Sequence, residues 1–472
     1  MPSAGRSAEG TSLQALADII SSEGLTSAGV DGRPVGRLAE RWSVSPDGLT
    51  WRFLLRPGIA FQDGSPCEAA GVKLSLDRAL ADPAYRVFTP GLLDVARVDA
   101  VSPSELVVTL RRRSAFLIDD LGAISWKPGP DGRTTGPFFV TSTAPDEIVL
   151  QANRHHYLGA PAIDRILLKS FGTLRTAWAS LMRGEVDVVS EVAYDALEFV
   201  GNEAVAVFPF RRPYVYTIVL NLGRPALRSP LVRRALNAAI NRDEIVSGVL
   251  KGLGQPATDP IWPLHWARDP AMPPAPFDPA LAASLVDQAA PVVAAQRAVD
   301  VPPARLRFTC LVPEGIATLE RLALVVQRQL WAIGVDMKLE AVAPGRLTAR
   351  IQAGNFDAAA IDLVEGISPD KLYVFWHSPS EAGGLNVFGY RNPEADRALD
   401  DMRHAADDNS FRAAVARLQR VMRDDPPALF LAWSERARAV SRRFEVPATR
   451  DRDVLFSLGL WRPRPDAGRR RP

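Results

Sequence analysis

Cysteine is almost absent from this chain of 472 residues, which contains only Cys67 and Cys310. A disulfide requires Cα atoms within about 7 Å of each other. Cys67 lies in the first turn of a predicted helix, whereas Cys310 lies in the apolar strand predicted at 305–312. Nothing in the pattern brings the two together, so we predict buried free thiols rather than a disulfide.

Long apolar runs and an excess of one charge are also missing. No run approaches the roughly 20 apolar residues that cross a bilayer, and no hydrophobic leader or lipidation cysteine follows Met1. The 56 basic and 54 acidic residues give a net charge of +2. The basic run Arg469–Arg471 is expected to be a solvated tail. A nucleic-acid partner is therefore not expected, because such proteins cluster basic residues on one face.

Residue types that carry catalysis or bind metals are sparse. Two of the five histidines, His155 and His156, are adjacent and cannot share a helix face, and His265, His377 and His404 are scattered. No Cys, Asp or Glu accompanies His155 and His156 at the spacing of metal ligands. GxSxG, Walker, HExxH and dinucleotide-binding glycine motifs are all missing. The sequence predicts no catalytic residue, no metal site and no cofactor.

Strand and helix signals alternate along most of the chain. A length of 472 residues is too great for one hydrophobic core, so two or three lobes are expected. Residues 163–189 predict a strand, a helix and a second strand in a βαβ-like unit. Residues 305–363 predict an unbroken β-α-β-α-β run, which favours a parallel sheet because helical crossovers join parallel strands.

Residues 38–66 form the most informative stretch of the sequence. Trp51, Phe53 and Leu55 alternate with more polar neighbours, a period of two that predicts a strand with one apolar face. Proline, aspartate and glycine at 46–48, 56–58 and 63–64 are typical of turns. Ser65-Pro66-Cys67-Glu68 predicts a capping box that begins a helix.

This order of residues resembles the signature of the extracytoplasmic solute-binding proteins of ABC importers in the peptide, nickel and opine class, the oligopeptide- and dipeptide-binding family. Further segments also resemble that family, so the resemblance extends from about Leu13 to Trp461. The matching motifs are Thr135–Phe138, Asn153–Tyr157, Asp164–Ile166, Leu181–Asp187, Pro230–Asn237 and Tyr390–Asp396.

The resemblance implies an α/β, two-lobed periplasmic-binding-protein-like fold of class II, of the large cluster C type. A ligand would lie in the cleft between the lobes, which would close by hinge motion. Lobe I would comprise residues 1–44, 134–220 and 434–472, with an extra subdomain at 45–133, and lobe II would comprise residues 221–433. The chain would cross between lobes near Leu220–Asn221 and Phe430–Ser434.

The resemblance also implies a function without catalysis. A monomer would capture a small molecule or short peptide, an opine or a similar solute, and deliver it to the permease subunits of an ABC importer. It would act in the periplasm or otherwise outside the cytoplasm. The missing leader leaves open an alternative, a non-exported ligand sensor or accessory protein with the same fold. An enzyme built on this fold is a third hypothesis, which turnover of a metabolite by the purified protein would reveal.

Glu365 is the first candidate for ligand binding. Peptide-binding members of the family carry an aspartate at the corresponding place, where it pairs with the ligand's ammonium group. A carboxylate in a dry cleft would give such a group a strong charge-assisted hydrogen bond. The alternative interpretation is an exposed loop acid, and Asp362 is the close competitor.

Asn386 and Phe388 form the second candidate group, because Gly383–Gly384 would let the backbone approach a ligand and an amide both donates and accepts. An ordinary surface loop is the alternative. Trp433, on the returning crossover strand, is a further candidate that could stack on a ligand, with core packing as the alternative. Trp376 and Trp266 are weaker candidates, more typical of core or lid packing.

Overall fold

The computed structural model describes residues 12–123, 133–192, 203–294, 305–378, 385–447 and 451–465. The chain divides into two compact units. We call Arg212–Ser434 the central unit, after its place in the sequence. We call Gly10–Arg211 with Glu435–Pro472 the terminal unit.

The first part of the terminal unit consists of short helices and antiparallel sheets. Its helices are α1 (Leu13–Ser21), α2 (Ala69–Ala81), α3 (Pro83–Phe88), α4 (Leu117–Ala123) and α5 (Leu174–Met182). Its strands are β1 (Thr26–Ala28), β2 (Pro34–Gly36), β3 (Ala39–Val44), β4 (Thr50–Leu55), β5 (Val95–Ser102), β6 (Glu105–Leu110), β7 (Phe138–Ala144), β8 (Glu147–Ala152), β9 (Arg165–Lys169) and β10 (Val188–Val189). The strands pair as β1-β2, β3-β4-β6-β5 and β7-β8-β9.

The hairpin predicted around Trp51 is confirmed. β3 and β4 are antiparallel, with Trp42 opposite Phe53 and Val44 opposite Trp51. Trp51, Phe53 and Leu55 are buried, while Arg52 between them is exposed. Their side chains pack in one hydrophobic core with α2 and β6, so the period of two in the sequence marks the buried face of this sheet.

The predicted start of the following helix at Ser65 is wrong. α2 begins at Ala69, and the side chain of its N-cap residue, Glu68, makes no capping hydrogen bond. Ser65 belongs to the preceding turn instead, because its N–H donates to Asp63 Oδ1 (2.9 Å) and its carbonyl accepts from the Phe61 N–H (2.9 Å). The Asp-Gly turn therefore uses the serine that would have capped the helix.

The central unit carries the longer strands. Its strands are β12 (Gly254–Pro256), β13 (Leu306–Pro313), β14 (Val335–Val342) and β15 (Ala358–Val364). Two longer strands, β11 (Val205–Leu220) and β16 (Ala428–Ser441), enter and leave the unit. Its helices are α6 (Pro225–Arg228), α7 (Pro230–Ala238), α8 (Arg242–Glu244), α9 (Pro279–Ala294), α10 (Ala317–Trp331), α11 (Pro344–Gln352), α12 (Asp370–Trp376), α13 (Pro393–Arg403) and α14 (Asp408–Asp424). A π-helical turn of the central unit spans Ile245–Val249.

The terminal unit also contains two 3-10 turns, at Pro90–Asp94 and Val454–Leu460. It ends with β17 (Phe444–Glu445) and β18 (Arg462–Pro463), which pair with each other.

The parallel sheet predicted from residues 305–363 is confirmed. β13 pairs in parallel with β14 on one side and with β15 on the other. These strands belong to a seven-stranded sheet in the order β10-β16-β11-β15-β13-β14, with β12 paired to β16. β11 runs antiparallel to β15, with Tyr214 opposite Val364 and Tyr216 opposite Asp362. The buried run Ala358–Ala360 lies at the middle of this sheet.

The chain passes between the units twice, each time within a long strand. It leaves the terminal unit between Arg211 and Arg212 in β11 and returns between Ser434 and Glu435 in β16. The run of aromatic and β-branched residues at Tyr214–Asn221 predicts a strand that begins at Tyr214. β11 is 16 residues long and begins further upstream, at Val205. The lobe boundaries drawn from the sequence, and the extra subdomain at 45–133, stay predictions.

The βαβ-like unit predicted at 163–189 is wrong. β9 pairs antiparallel with β8, whereas β10 pairs antiparallel with β16, so the two strands that flank α5 belong to different sheets. Half-buried and exposed residues alternate along β9, as in a strand that is covered on one face only. A strand–helix–strand pattern in the sequence does not by itself determine which partner each strand takes.

Both cysteines are buried and free, as predicted. Burial raises the pKa of the Cys67 thiol to about 12 and that of the Cys310 thiol to about 12. Each thiol therefore stays protonated and packs as a small apolar side chain. Within the described ranges, no helix is both long enough and apolar enough to span a bilayer.

Candidate functional site

Glu365 directly follows β15, at the end of the sheet where β11 and β15 separate. Its own N–H and that of Gly366 both donate to the carbonyl of Pro213 (3.2 Å each). Gly366 has a φ of 80°, a conformation that glycine adopts without steric cost, so the chain can turn away from the sheet at this point. The backbone thus holds Glu365 next to the segment of β11 that carries Arg212 and Pro213.

The Glu365 side chain is buried, with 1% of its surface exposed. Its Oε1 accepts a hydrogen bond from Trp376 Nε1 (3.1 Å), and its Oε2 is buried without a hydrogen-bond partner. Burial raises the pKa of this carboxyl well above its usual range, and the Trp376 bond opposes that effect only in part. The alternative interpretation, an exposed loop acid, is wrong, because Glu365 is a buried acid whose raised pKa favours the protonated form.

A narrow crevice borders Glu365 within the central unit. It is formed by residues 260–262 on one side and by residues 366–369 and Leu372 on the other. The crevice has no room for a water molecule as it stands, so a solute could reach Glu365 only if its walls move apart.

The aromatic candidates lie close to this acid. Trp376 is fully buried and contacts Phe388 (ring centroids 5.4 Å apart) and Phe430 (5.7 Å). Trp433 is also buried and meets the edge of Trp262 at 5.2 Å, and Trp262 lines the crevice beside Glu365. The structure therefore brings Glu365, Trp376 and Phe388 together. Trp433 is connected to this group through Trp262.

Asn386 holds a turn together. Its Nδ2 donates to the carbonyls of His377 (3.0 Å) and Tyr390 (2.7 Å), and its Oδ1 accepts from the N–H groups of Gly389 (3.1 Å) and Tyr390 (3.1 Å). These bonds use both amide hydrogens and both lone pairs of the oxygen. The Gly383–Gly384 pair predicted to approach a ligand lies outside the described residues.

Trp266 lies apart from this group. It is half-buried, stacks on Phe411 at 5.3 Å, and has the Arg412 guanidinium 5.1 Å from its ring centroid. This arrangement has the character of packing between a loop and α14.

Sequence reasoning missed Arg212, which forms an ion pair with Asp362, the competitor of Glu365. Arg212 Nη1 lies 2.9 Å from Asp362 Oδ2, and its guanidinium carbon lies 4.1 Å from the Tyr214 ring centroid. Burial raises the pKa of the Asp362 carboxyl, and the Arg212 charge opposes that effect. The sequence carries no signal for this pair, because the two residues are far apart in the chain and the register of β11 and β15 places Tyr216, not Arg212, opposite Asp362.

The C-terminal part of α12 contacts α13 through Asp400. Tyr373 donates its hydroxyl hydrogen to Asp400 Oδ1 (3.3 Å), and His377 Nε2 lies 3.6 Å from Asp400 Oδ2. The two rings stack with centroids 4.5 Å apart. Since α12 also carries Trp376, these contacts help to fix the position of the indole that binds Glu365.

The described residues contain no group of three or more His, Cys, Asp or Glu side chains placed to share a metal ion. The Glu365 region combines one buried acid that has an oxygen without a hydrogen-bond partner, an arginine–aspartate pair beside it, and apolar aromatic walls.

Solved structures share this fold across nearly the whole chain. NikZ from Campylobacter jejuni in complex with Ni(L-His) has a TM-score of 0.81 at 21% identity and covers 94% of each chain. The oligopeptide-binding protein AppA from Bacillus subtilis in complex with a nonapeptide has a TM-score of 0.80 at 20% identity and covers 97% of this chain and 95% of its own. The predicted two-lobed α/β binding-protein fold is confirmed by these likenesses.

Relatives with similar sequences point the same way. The oligopeptide-binding protein AppA of Bacillus subtilis is 27% identical over 336 residues, which are 69% of this chain, and the match spans 61% of its own length. The glutathione-binding protein GsiB of Pectobacterium atrosepticum is 25% identical over 467 residues, covering 92% of this chain and 87% of its own. The probable D,D-dipeptide-binding periplasmic protein DdpA of Escherichia coli is 26% identical over 424 residues, which cover 84% of this chain and 78% of the length of DdpA.

A family model covers most of the chain as well. The model described as bacterial extracellular solute-binding proteins, family 5 Middle, matches residues 33–385. That range includes the hairpin at Trp51, both strands that carry Arg212 and Asp362, and Glu365. The chain therefore belongs to the bacterial extracellular solute-binding proteins of family 5, as its sequence motifs predict.

Proposed function

We propose that this protein captures a small solute outside the cytoplasm and delivers it to the permease subunits of an ABC importer, acting as a monomer and without catalysing a reaction. The observation that carries the proposal is the family match over residues 33–385. The names of the relatives narrow the solute, since they bind oligopeptides, glutathione or D,D-dipeptides. We propose a short peptide or a small metabolite with peptide-like polar groups.

We further propose that Glu365 contacts a cationic group of that solute. The unpaired Oε2 supports this role, because an ammonium group would supply the hydrogen bond that the oxygen lacks and would favour the ionised carboxylate. Trp376 would hold the carboxyl in place through Oε1. Phe388 and Trp433 would contribute apolar walls, and Asn386 would hold the neighbouring turn.

The experiment is a thermal-shift screen of the purified protein against di- and tripeptides, glutathione, opines, sugars and Ni(II)–L-histidine. A bound solute stabilises the folded state by RT ln(1 + [L]/Kd), which is about 2.7 kcal/mol at a hundredfold excess over Kd. We expect stabilisation by at least one solute that carries a free amine. If no member of the library raises the melting temperature, the proposed function is wrong.

The role of Glu365 has its own control. Glu365→Gln should abolish the stabilisation by an amine-bearing solute, whereas Glu314→Gln, at the exposed residue that follows β13, should leave it unchanged. Equal affinity in wild type and Glu365→Gln would remove Glu365 from the site without contradicting solute capture.

A further inference from the structure

We propose that Trp262 selects the shape of the cationic group that reaches Glu365, so that this protein prefers solutes whose primary ammonium lies at the end of an unbranched carbon chain. The inference rests on the proposed function and names the substrate class for the same region of the central unit. It concerns the narrow crevice beside Glu365, which distinguishes between ammonium groups of equal charge by their shape.

The side chains that line the crevice are apolar apart from Glu365 and Ser368. The apolar ones are Pro260, Ile261, Trp262, Ile367, Pro369 and Leu372. A group that enters the crevice therefore lies against hydrocarbon for most of its length. Such a lining fits a chain of methylene groups, because each one that leaves water for an apolar surface favours binding.

Glu365 gives the crevice its preference for a cation. The residue lines the crevice and is 1% exposed, and its Oε2 has no hydrogen-bond partner within the described chain. A hydrogen bond at Oε2 therefore has to come from a group that enters between the walls. A primary ammonium carries three N–H donors on one compact nitrogen, whereas a guanidinium is a wider, planar group. The ammonium is the cation that needs less space.

The width of the crevice disfavours a branch next to that ammonium. The crevice has no room for a water molecule as it stands, so every atom that enters displaces a wall. An unbranched chain needs the smallest displacement, since its carbons carry only hydrogen atoms at their sides. The ammonium of a lysine side chain meets this condition. The α-amino group of an amino acid does not, except in glycine, because it is attached to a branched carbon.

Trp262 is the largest side chain that lines the crevice, and it belongs to a loop that is braced by its own residues. Arg268 donates to both carboxylate oxygens of Asp259 (2.7 Å each) and to the carbonyl of Ile261 (3.0 Å). The brace lets this loop shift as one piece. Trp433 contacts the Trp262 ring with centroids 5.2 Å apart, so it limits how far the indole can withdraw.

The opposite wall is joined directly to the large sheet. Glu365 and Gly366 donate their N–H groups to the carbonyl of Pro213 (3.2 Å each), and α12 begins soon afterwards, at Asp370. A displacement of this wall would break those bonds. We therefore expect the loop wall to move when a solute enters, and the indole of Trp262 to set the width that the solute finds.

The test compares isomeric amines. Calorimetry measures the affinity of the whole protein for n-butylamine and sec-butylamine, and for 4-aminobutanoate and L-2-aminobutanoate. The members of each pair have the same formula and charge, and differ in whether the ammonium is attached to a branched carbon. We expect the unbranched isomer to bind about 10- to 200-fold more tightly, the range that one misplaced carbon costs in a tight apolar pocket. Each further methylene from n-propylamine to n-pentylamine should raise the affinity about fourfold.

Three variants assign the preference to Trp262. Trp262→Ala should raise the affinity for the branched isomers and reduce the preference to less than about twofold. Trp262→Phe keeps an aromatic ring of smaller size and should give an intermediate preference, and it decides the matter if Trp262→Ala does not fold. Trp266→Phe is the matched control in the same loop. Because Trp266 stacks on Phe411 and does not line the crevice, this variant should keep the full preference.

Other outcomes overturn the inference. Equal binding of the isomers by the wild-type protein, or a preference that both Trp262 variants retain, would remove Trp262 as the selecting residue and leave solute capture intact. If no isomer of either pair binds and the thermal-shift screen finds a solute whose only amine is on a branched carbon, or a solute without an amine, the inference fails and solute capture stands. If no solute stabilises the protein at all, the proposed function fails with it.

Discussion

Trp376 Nε1 donates to Glu365 Oε1 across 3.1 Å, and no other hydrogen bond within the described chain reaches the Glu365 carboxyl. The acid and the indole are both buried. Polar atoms in such surroundings are costly when they lose a partner, because no water replaces it. This bond is therefore the one hydrogen bond within the described chain that offsets the burial of the Glu365 carboxyl.

Trp376→Phe should destabilise the protein by about 1–3 kcal/mol through the lost bond to Glu365, with a further cost for the space left by the larger ring. The double variant Trp376→Phe/Glu365→Leu should lose less stability than the sum of the two single variants, since the unpaired acid is then absent. Chemical denaturation measures these values. Trp331→Phe is the control, because Trp331 is 64% exposed and its replacement should cost less than about 0.5 kcal/mol. A strictly additive double variant would contradict the coupling.

The stability of the wild-type protein should fall as the pH rises above the ordinary pKa of a glutamate, and Glu365 should be one cause. Its pKa is raised in the folded state by burial, so the folded protein binds this proton more tightly than the unfolded chain does. Between the two pKa values, ionisation then favours unfolding. Melting temperatures of wild type and Glu365→Gln, measured from pH 5 to pH 9, should therefore diverge in favour of the variant with rising pH. Parallel curves would show that Glu365 is ionised in the folded protein.

Asn386→Ala should cost about 2–4 kcal/mol, since the side chain makes four hydrogen bonds of about 1 kcal/mol each. Asn386→Asp should also destabilise, because it retains the acceptor but places a carboxylate against the carbonyls of His377 and Tyr390. Urea denaturation gives both values. Asn355→Ala, at an exposed position with no side-chain bond within the described chain, should stay within about 0.5 kcal/mol of wild type. If Asn386→Ala is equally mild, the turn does not depend on this amide.

Some of these features could be predicted from the sequence and others could not. The buried face of β4 and the parallel run at 305–363 follow from local periodicity, so one sequence was enough. The start of α2 was misplaced because Ser65 has two local uses, a cap and a turn, and its spacing to Asp63 favoured the turn. β11 was predicted too short because arginines and prolines inside it are atypical of a strand; Arg211 and Arg212 are tolerated because each forms an ion pair.

The candidate site was predictable in its residue types but not in its bonding. Glu365, Trp376 and Phe388 lie together, as a loop following an apolar strand would allow. The pairing of Arg212 with Asp362 joins residues 150 positions apart in the sequence, and only the folded side chains reveal it, because the register of β11 against β15 places Tyr216 opposite Asp362. Likewise, no sequence pattern shows that all four hydrogen-bonding capacities of Asn386 are used internally.

Asp400→Asn should lower the pKa of His377 and weaken the attachment of α12 to α13. Burial alone would lower the pKa of His377, but Asp400, the carbonyl of Ser378 and the charge of Asp396 outweigh burial and raise it. The imidazolium form matches both acceptors that face its ring nitrogens, the Ser378 carbonyl at Nδ1 (2.8 Å) and Asp400 at Nε2 (3.6 Å).

A histidine whose pKa is raised by folding contributes stability that is complete below its unfolded pKa and is lost as the pH rises through its folded pKa. The wild-type protein should therefore lose this contribution above about pH 6.5, the ordinary value for histidine, and Asp400→Asn should not. NMR titration of the His377 ring in both proteins measures the shift directly. Because His377 directly follows Trp376, the last residue of α12, we also expect any solute that binds at Glu365 to bind more weakly to Asp400→Asn. An unchanged affinity with a lowered His377 pKa would show that this end of α12 does not position the indole.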